Sequence, residues 1–143
     1  MTTWILVADS SRAKIYETNS QSDVLHELKT LNHSKSRLHE QLVSSDLPGS
    51  HAGIGGSRHH YDTETGIKEY EEIEFAEDIN KELQKAKNRN QFSKLVVVSP
   101  PHFLGILRKN FHSNVANSIA LEVDKNLVKM KPKEIISHLN NVL

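Results

Sequence analysis

The sequence predicts an α/β fold on a mixed five-stranded sheet, with its elements in the order βββαβαβα. Three observations carry this reading. The first is Leu95-Val96-Val97-Val98, an uninterrupted apolar run that meets Ser99-Pro100-Pro101 and then His102-Phe103-Leu104-Gly105-Ile106-Leu107-Arg108. A strand cannot continue through two prolines, whereas the first turn of a helix accepts one. Another strand-like run, Ile119 to Val123, follows. Strand, helix and strand within about thirty residues form a βαβ unit, which requires a parallel pair. The second observation is three short strands at the N-terminus, joined by turns short enough to dictate antiparallel pairing. The third is one apolar stripe, Ile73, Ala76, Ile79, Leu83 and Ala86, at helical spacing.

Taken in order, Thr3 to Ala8 reads as the first strand. Asp9-Ser10-Ser11-Arg12 reads as a tight turn, because Asp and Ser side chains bond their own backbone there. Ala13 to Asn19 is the second strand, with Ala13 and Ile15 on one face and Lys14 and Tyr16 on the other. Val24 to Leu31 is the third. Residues 32 to about 68 show no sustained period; they contain Gly49, Gly53, Gly55, Gly56 and Gly66 and five of the nine histidines. A connection of this length is functional or disordered in most compact domains, and the part from Ser45 to Thr65 is expected to pack poorly. Glu69 to about Asn90 is the long helix. Acids crowd its first half and Lys81, Lys85, Lys87 and Arg89 its second, as the helix dipole favours. Ser99 or Pro100 caps the helix after strand four, whose Leu104, Leu107 and Phe111 share a face. Strand five alternates Ile119, Leu121 and Val123. Pro132 opens a last helix with Ile135, Ile136, Leu139 and Leu143 inward. Three antiparallel strands followed by two parallel ones, with helices on both sides, is the ribonuclease-H-like succession. The length, 143 residues, matches a single domain.

Several blocks carry a family resemblance. Val7-Ala8-Asp9-Ser10-Ser11-Arg12-Ala13-Lys14-Ile15-Tyr16, Leu42-Val43-Ser44-Ser45-Asp46-Leu47-Pro48-Gly49, Pro100-Pro101-His102-Phe103-Leu104-Gly105 and Val123-Asp124-Lys125-Asn126-Leu127 span nearly the whole chain. Together they resemble the bacterial host attachment family, proteins named as required for attachment to host cells. The family more often has Arg where Leu47 precedes Pro48-Gly49. It in turn resembles the central domain of archaeo-eukaryotic peptide-chain release factors, which has a ribonuclease-H-like fold. In those factors a Gly-Gly-Gln tip lies between the third strand and the long helix and supports peptidyl-tRNA hydrolysis. Here Gly55-Gly56 is followed by Ser57, so the glutamine is missing.

Composition excludes several classes of function. The absence of cysteine removes disulfides, thiolate metal sites and Cys nucleophiles. No apolar run reaches the ~20 residues of a membrane span, and the N-terminus lacks the features of a signal peptide. The expected location is the cytoplasm. Net charge is zero, but residues 1–79 carry 7 Lys+Arg against 14 Asp+Glu and residues 80–133 carry 11 against 3. A split of this size points to a basic face and a polyanionic partner, unless the two halves interleave in space.

The candidate chemistries rank as follows. A two-metal nuclease needs three or four carboxylates converging from strand ends; Asp9 is well placed, but strand four ends in Ser99-Pro100-Pro101, so Asp9 is read as a turn residue. Ser99 and His102 are nominal members of a hydrolase triad, yet no nucleophile-elbow motif is present. Ser99 is read as a helix cap and Phe103, Leu104 and Leu107 as core. His51, His59, His60 and Asp62 form a weak metal set, because adjacent histidines in an extended segment point apart. No catalytic residue, metal or cofactor is therefore assigned. The leading expectation is a non-catalytic module contacting structured RNA or the ribosome through Gly55, Gly56, Arg58, Arg108, Lys109, Lys125, Lys129 and Lys131. A cytoplasmic factor acting indirectly in attachment is the alternative, and a hydrolase of an ester or phosphate the third.

Overall fold

The computed structural model describes residues 2–19, 24–33 and 57–140, with side chains from residue 66 onward in the last segment. The strands are β1 (Thr2–Ala8), β2 (Arg12–Asn19), β3 (His26–Asn32), β4 (Lys94–Ser99) and β5 (Ile119–Asp124). The helices are α1 (Ser57–Asn88), α2 (Pro101–Asn110), α3 (Ser113–Ala116) and α4 (Pro132–Asn140). The strands form one sheet in the order β3-β2-β1-β4-β5. β2 is antiparallel to both β1 and β3, whereas β4 is parallel to both β1 and β5. This is the mixed ribonuclease-H-like arrangement that the element order predicts.

The apolar runs of β1 and β4 are continuous because both sides of the sheet are covered. Trp4, Leu6, Ala8, Leu95 and Val97 point to a core closed by α1, α2 and Val115 of α3. Ile5, Val7, Val96 and Val98 point to a second core closed by Leu127, Val128 and the Ile135–Leu139 face of α4. Pro132 opens α4, and Glu134 reaches back to accept from the Lys131 N–H at 3.2 Å, the second half of a capping box. Asp9 makes the predicted turn: its Oδ1 accepts from the Ser11 and Arg12 N–H groups, each at 2.8 Å.

Four expectations are corrected. First, α1 begins at Ser57 and not at Glu69, so Ser57 to Thr65 is helical; residues 34–56, with Gly55 and Gly56, lie outside the described residues. At about 1.5 Å per residue its 32 residues span ~48 Å. Among its described side chains the buried ones run from Glu72 to Ala86, and 66–70 are all exposed. Second, β3 is shifted to His26–Asn32. The pairing of β2 with β3 slips between Ile15 and Tyr16, where Ile15 faces Lys29 and Tyr16 faces Glu27; Leu28 is the extra residue. Third, Ile119 does not share a face with Leu121 and Val123. A bulge opposite Leu95 and Val96 leaves Ala120 unpaired, so Ile119 packs on the α1 side and Leu121 on the α4 side. Fourth, Ser99 does not cap α2. The cap position is Pro100, with no side-chain bond, and Ser99 is the last, fully buried residue of β4.

The Asp9 turn is open to test. Replacing Asp9 with Ala removes the acceptor for two N–H groups and is expected to cost about 1–2 kcal/mol. That lowers the melting temperature by several degrees, while Asp9→Asn keeps most of the stability. A melt of Asp9→Ala identical to that of the unaltered chain would show that the turn is held by other means.

Candidate functional site

In open α/β sheets ligands bind beyond the carboxyl ends of the parallel strands. Here β1, β4 and β5 end together at Ala8, Ser99 and Asp124. The Asp9 turn, the start of α2 and the chain after β5 all lie at this end. The Asp9 turn is tied to the end of β3, because the His33 N–H donates to Ser11 O at 2.9 Å and His33 Nδ1 lies 2.9 Å from Ser10 O. With a carbonyl as partner, Nδ1 carries the proton. The His33 ring stacks on Phe75 of α1 (centroids 4.9 Å apart, planes 4° apart), and Phe75 stacks on Phe103 of α2 at 5.9 Å. Three rings from three elements thus close the end of the core.

Polar groups sit beside this stack. Glu72 lies three residues before Phe75, so the stripe that buries Phe75 also buries its carboxylate. Its Oε2 lies 3.3 Å from Nε2 of His102, whose side chain is 71% exposed against 8% for Glu72. His33 Nε2 and Ser99 Oγ are buried with no hydrogen-bond partner among the described residues. A serine nucleophile needs a bonded base and an open path to substrate. Ser99 has neither among the described residues: it is 0% exposed with no hydrogen-bond partner, and His102, three residues on, turns Nε2 to Glu72. Among the described residues no three His, Asp or Glu side chains gather as metal ligands. His51 and the side chains of His59, His60 and Asp62 lie outside that description, although the backbone at residues 59–62 is helical rather than extended.

The residues expected to touch a polyanion fall into two groups. Lys125, Lys129 and Lys131, with Lys133, are exposed and follow β5 at the carboxyl end of the sheet. None of the four has an ion pair among the described residues. Arg108 and Lys109 occupy the last turn of α2, at the opposite end. Arg108 is also already engaged: its Nη2 donates to Glu122 Oε1 at 2.7 Å and its Nε to the same oxygen at 3.2 Å. The hydrogen bond first, and the carboxylate's charge second, push its pKa above the ordinary arginine range. Arg58 is in the first turn of α1, its side chain outside the described residues, as are Gly55 and Gly56. The fold therefore unites Lys125, Lys129 and Lys131 and separates them from Arg108 and Lys109. Sequence reading missed Glu72 and His33; the signal for Glu72 was its place on the Phe75–Ile79 stripe.

Ser99→Ala separates the two readings of Ser99. A helix cap would lose about 0.5–2 kcal/mol on this change. A buried hydroxyl without a partner should lose nothing and can gain, because an unmet polar group is removed. The expected unfolding midpoint is equal or higher, and a clear drop would restore the cap.

The same fold occurs in solved structures. An archaeal translation termination factor aligns with a TM-score of 0.51 at 12% identity, covering 99% of this chain and 38% of that chain. A structure described as an archaeal protein aligns with a TM-score of 0.50, also at 12% identity and the same coverages. At such identity the likeness shows the fold alone, and this chain corresponds to little more than a third of either neighbour. No curated protein matches the chain in sequence. Residues 4–139 match the family described as "Protein required for attachment to host cells", and the chain belongs to that family.

Proposed function

We propose that the protein is a non-catalytic binding module for structured RNA, such as that of the ribosome, acting in the cytoplasm. The observation that carries this reading is the group Lys125, Lys129, Lys131 and Lys133, exposed, without ion pairs among the described residues and delivered to the carboxyl end of the sheet. Lysines of this kind meet phosphates as mobile point charges and release condensed counterions. Two features support it. The fold is shared with a translation termination factor. The long α1 starts at the same end of the sheet, directly after Gly55-Gly56, with Arg58 in its first turn. The missing glutamine and the buried Ser99 argue against hydrolysis by either route. Among the described residues no helix is long and apolar enough to cross a membrane.

A second reading rests on the family match: a role in attachment to host cells, exerted from within the cell through other components. Fractionation separates the two. Co-sedimentation with ribosomes supports the first, and a principal location in the envelope supports the second.

Binding to structured RNA is expected with a dissociation constant on the order of micromolar near physiological salt, weakening steeply as salt rises. Replacing Lys125, Lys129 and Lys131 together with Ala should weaken it and lower the salt slope by about 2–3. Lys109→Ala, at the other end of the sheet, should change little. No binding at low salt, or equal losses in both variants, would sink this reading. RNA, DNA and an RNA–DNA hybrid incubated with magnesium or manganese should remain intact; cleavage abolished by Asp9→Asn would reinstate a nuclease.

A further inference from the structure

A cavity of about 590 Å³ opens at the amino end of β1, away from the lysines after β5, and lies within the size range of small-molecule sites. Its apolar wall is Trp4, Ile15, Ala86 and Leu28. Trp4, Ile15 and Ala86 are buried, whereas Leu28 is 45% exposed at the mouth. The bulge in β3 is what builds this side. With Leu28 as the extra residue, Leu28 and Lys29 both line the cavity, where regular alternation would send them to opposite faces. The opposite rim is the end of α1. There Asn90, at φ 55°, and the bonds Asn90 N–H to Lys87 O (3.0 Å) and Gln91 N–H to Ala86 O (2.9 Å) form a Schellman cap. The cap fixes the backbone that carries Arg89 and Gln91, and it satisfies carbonyls that would otherwise repel an anion.

The charges around the cavity do not cancel. Lys29 and Glu82 are closed on each other at 2.8 Å. That leaves Lys85 and Arg89 facing a single acid, Glu17, with no ion pair for any of the three among the described residues. The surplus is one positive charge beside an apolar wall. Trp4 adds a buried indole N–H that has no acceptor among the described residues, and one ring of the wall is braced by Trp4–Phe92 stacking at 4.9 Å.

We propose that this cavity binds a small organic acid with an apolar or aromatic body and a single carboxylate. The body lies against Trp4, Ile15 and Leu28. The carboxylate lies between Lys85 and Arg89, whose guanidinium offers paired donors matched to two carboxylate oxygens. A neutral analogue lacks the charge that balances the rim, and a cationic one adds to the surplus.

Trp4 is the only tryptophan in the chain, so its emission reports this wall directly. The full chain is titrated with phenylacetate, with phenylacetamide and with phenylethylamine, each followed by Trp4 fluorescence. Phenylacetate should give a saturable change, with the amide weaker by about tenfold or more, as loss of a charge-assisted contact implies, and the amine inactive. Arg89→Gln and Lys85→Gln, both at exposed positions, should each weaken phenylacetate by a similar factor, with circular dichroism confirming an unchanged fold. The proposal is overturned by no saturable response to phenylacetate at millimolar concentration, by equal responses to acid and amide, or by unaltered affinity in both variants.

Discussion

The structure depends on the parallel pairing of β1 with β4. Val7 lies opposite Val98 and Leu6 opposite Val97, and both strands are buried on both faces. Two-sided burial is what the runs Ile5 to Ala8 and Leu95 to Val98 demand, since neither run has a polar side to offer to water. That demand places a helical layer on each side of the sheet. It forces the crossover from β1 to β4 through a long helix, and it makes α2 turn back immediately after β4. Pro100 and Pro101 stop the strand where the layer must begin. The carboxyl strand ends are then brought to one end of the molecule, with the turn of Asp9, the Glu72–His102 pair and the Lys125–Lys133 segment around them.

What could be read from residues alone follows the same physics. The βαβ unit and the second half of α1 were legible because burial imposes a periodic pattern, and Ile79, Leu83 and Ala86 lie on the sheet as that pattern requires. The first half of α1 was not legible for the converse reason. Its described exposed residues Ile67 and Tyr70 and the helix-weakening Gly66 follow no stripe, because burial imposes none on them. The bulge at Ala120 was hidden, since 119, 121 and 123 alternate as a regular strand would; only the pairing with β4 shows the slip. Glu72 was counted with an acidic run when its position relative to Phe75 places it inside. The cavity beside Trp4 could not be read at all, because it depends on an unpaired Leu28 and on the helix cap at Asn90, features of tertiary contact rather than of local pattern.

The charge split between the two halves of the chain is partly structural. Lys85 and Lys87 lie in the last turn of α1 and complement its dipole, whereas Glu69 to Asp78 fall in its middle with no acid in the first turn, and Glu82 holds Lys29 on β3. Arg108 is held by Glu122 across the layer between α2 and β5. Such exposed pairs contribute little to stability, but they remove those cations from the set available to a ligand. Among the cations with no ion pair among the described residues, two groups stand at opposite ends of the sheet. Lys125, Lys129, Lys131 and Lys133 are exposed beyond β5, whereas Lys85 and Arg89 line the apolar cavity beside Trp4.

The likeness to a translation termination factor belongs to the part of the molecule that physics constrains most. At 12% identity, what two such chains keep in common is the sheet order and the layers that bury it. Residues at strand ends and helix starts carry no such obligation, and chemistry is placed there. In this chain those positions are occupied by a serine with no partner among the described residues, a histidine turned to a buried glutamate and a row of lysines. Among the described residues none of these pairs a nucleophile with its base; Ser99 and Glu72 are buried, whereas His102 and the lysines are exposed. The scaffold therefore leaves surface side chains such as Lys125, Lys129, Lys131 and Lys133 free to vary without loss of the layers that bury β1 and β4.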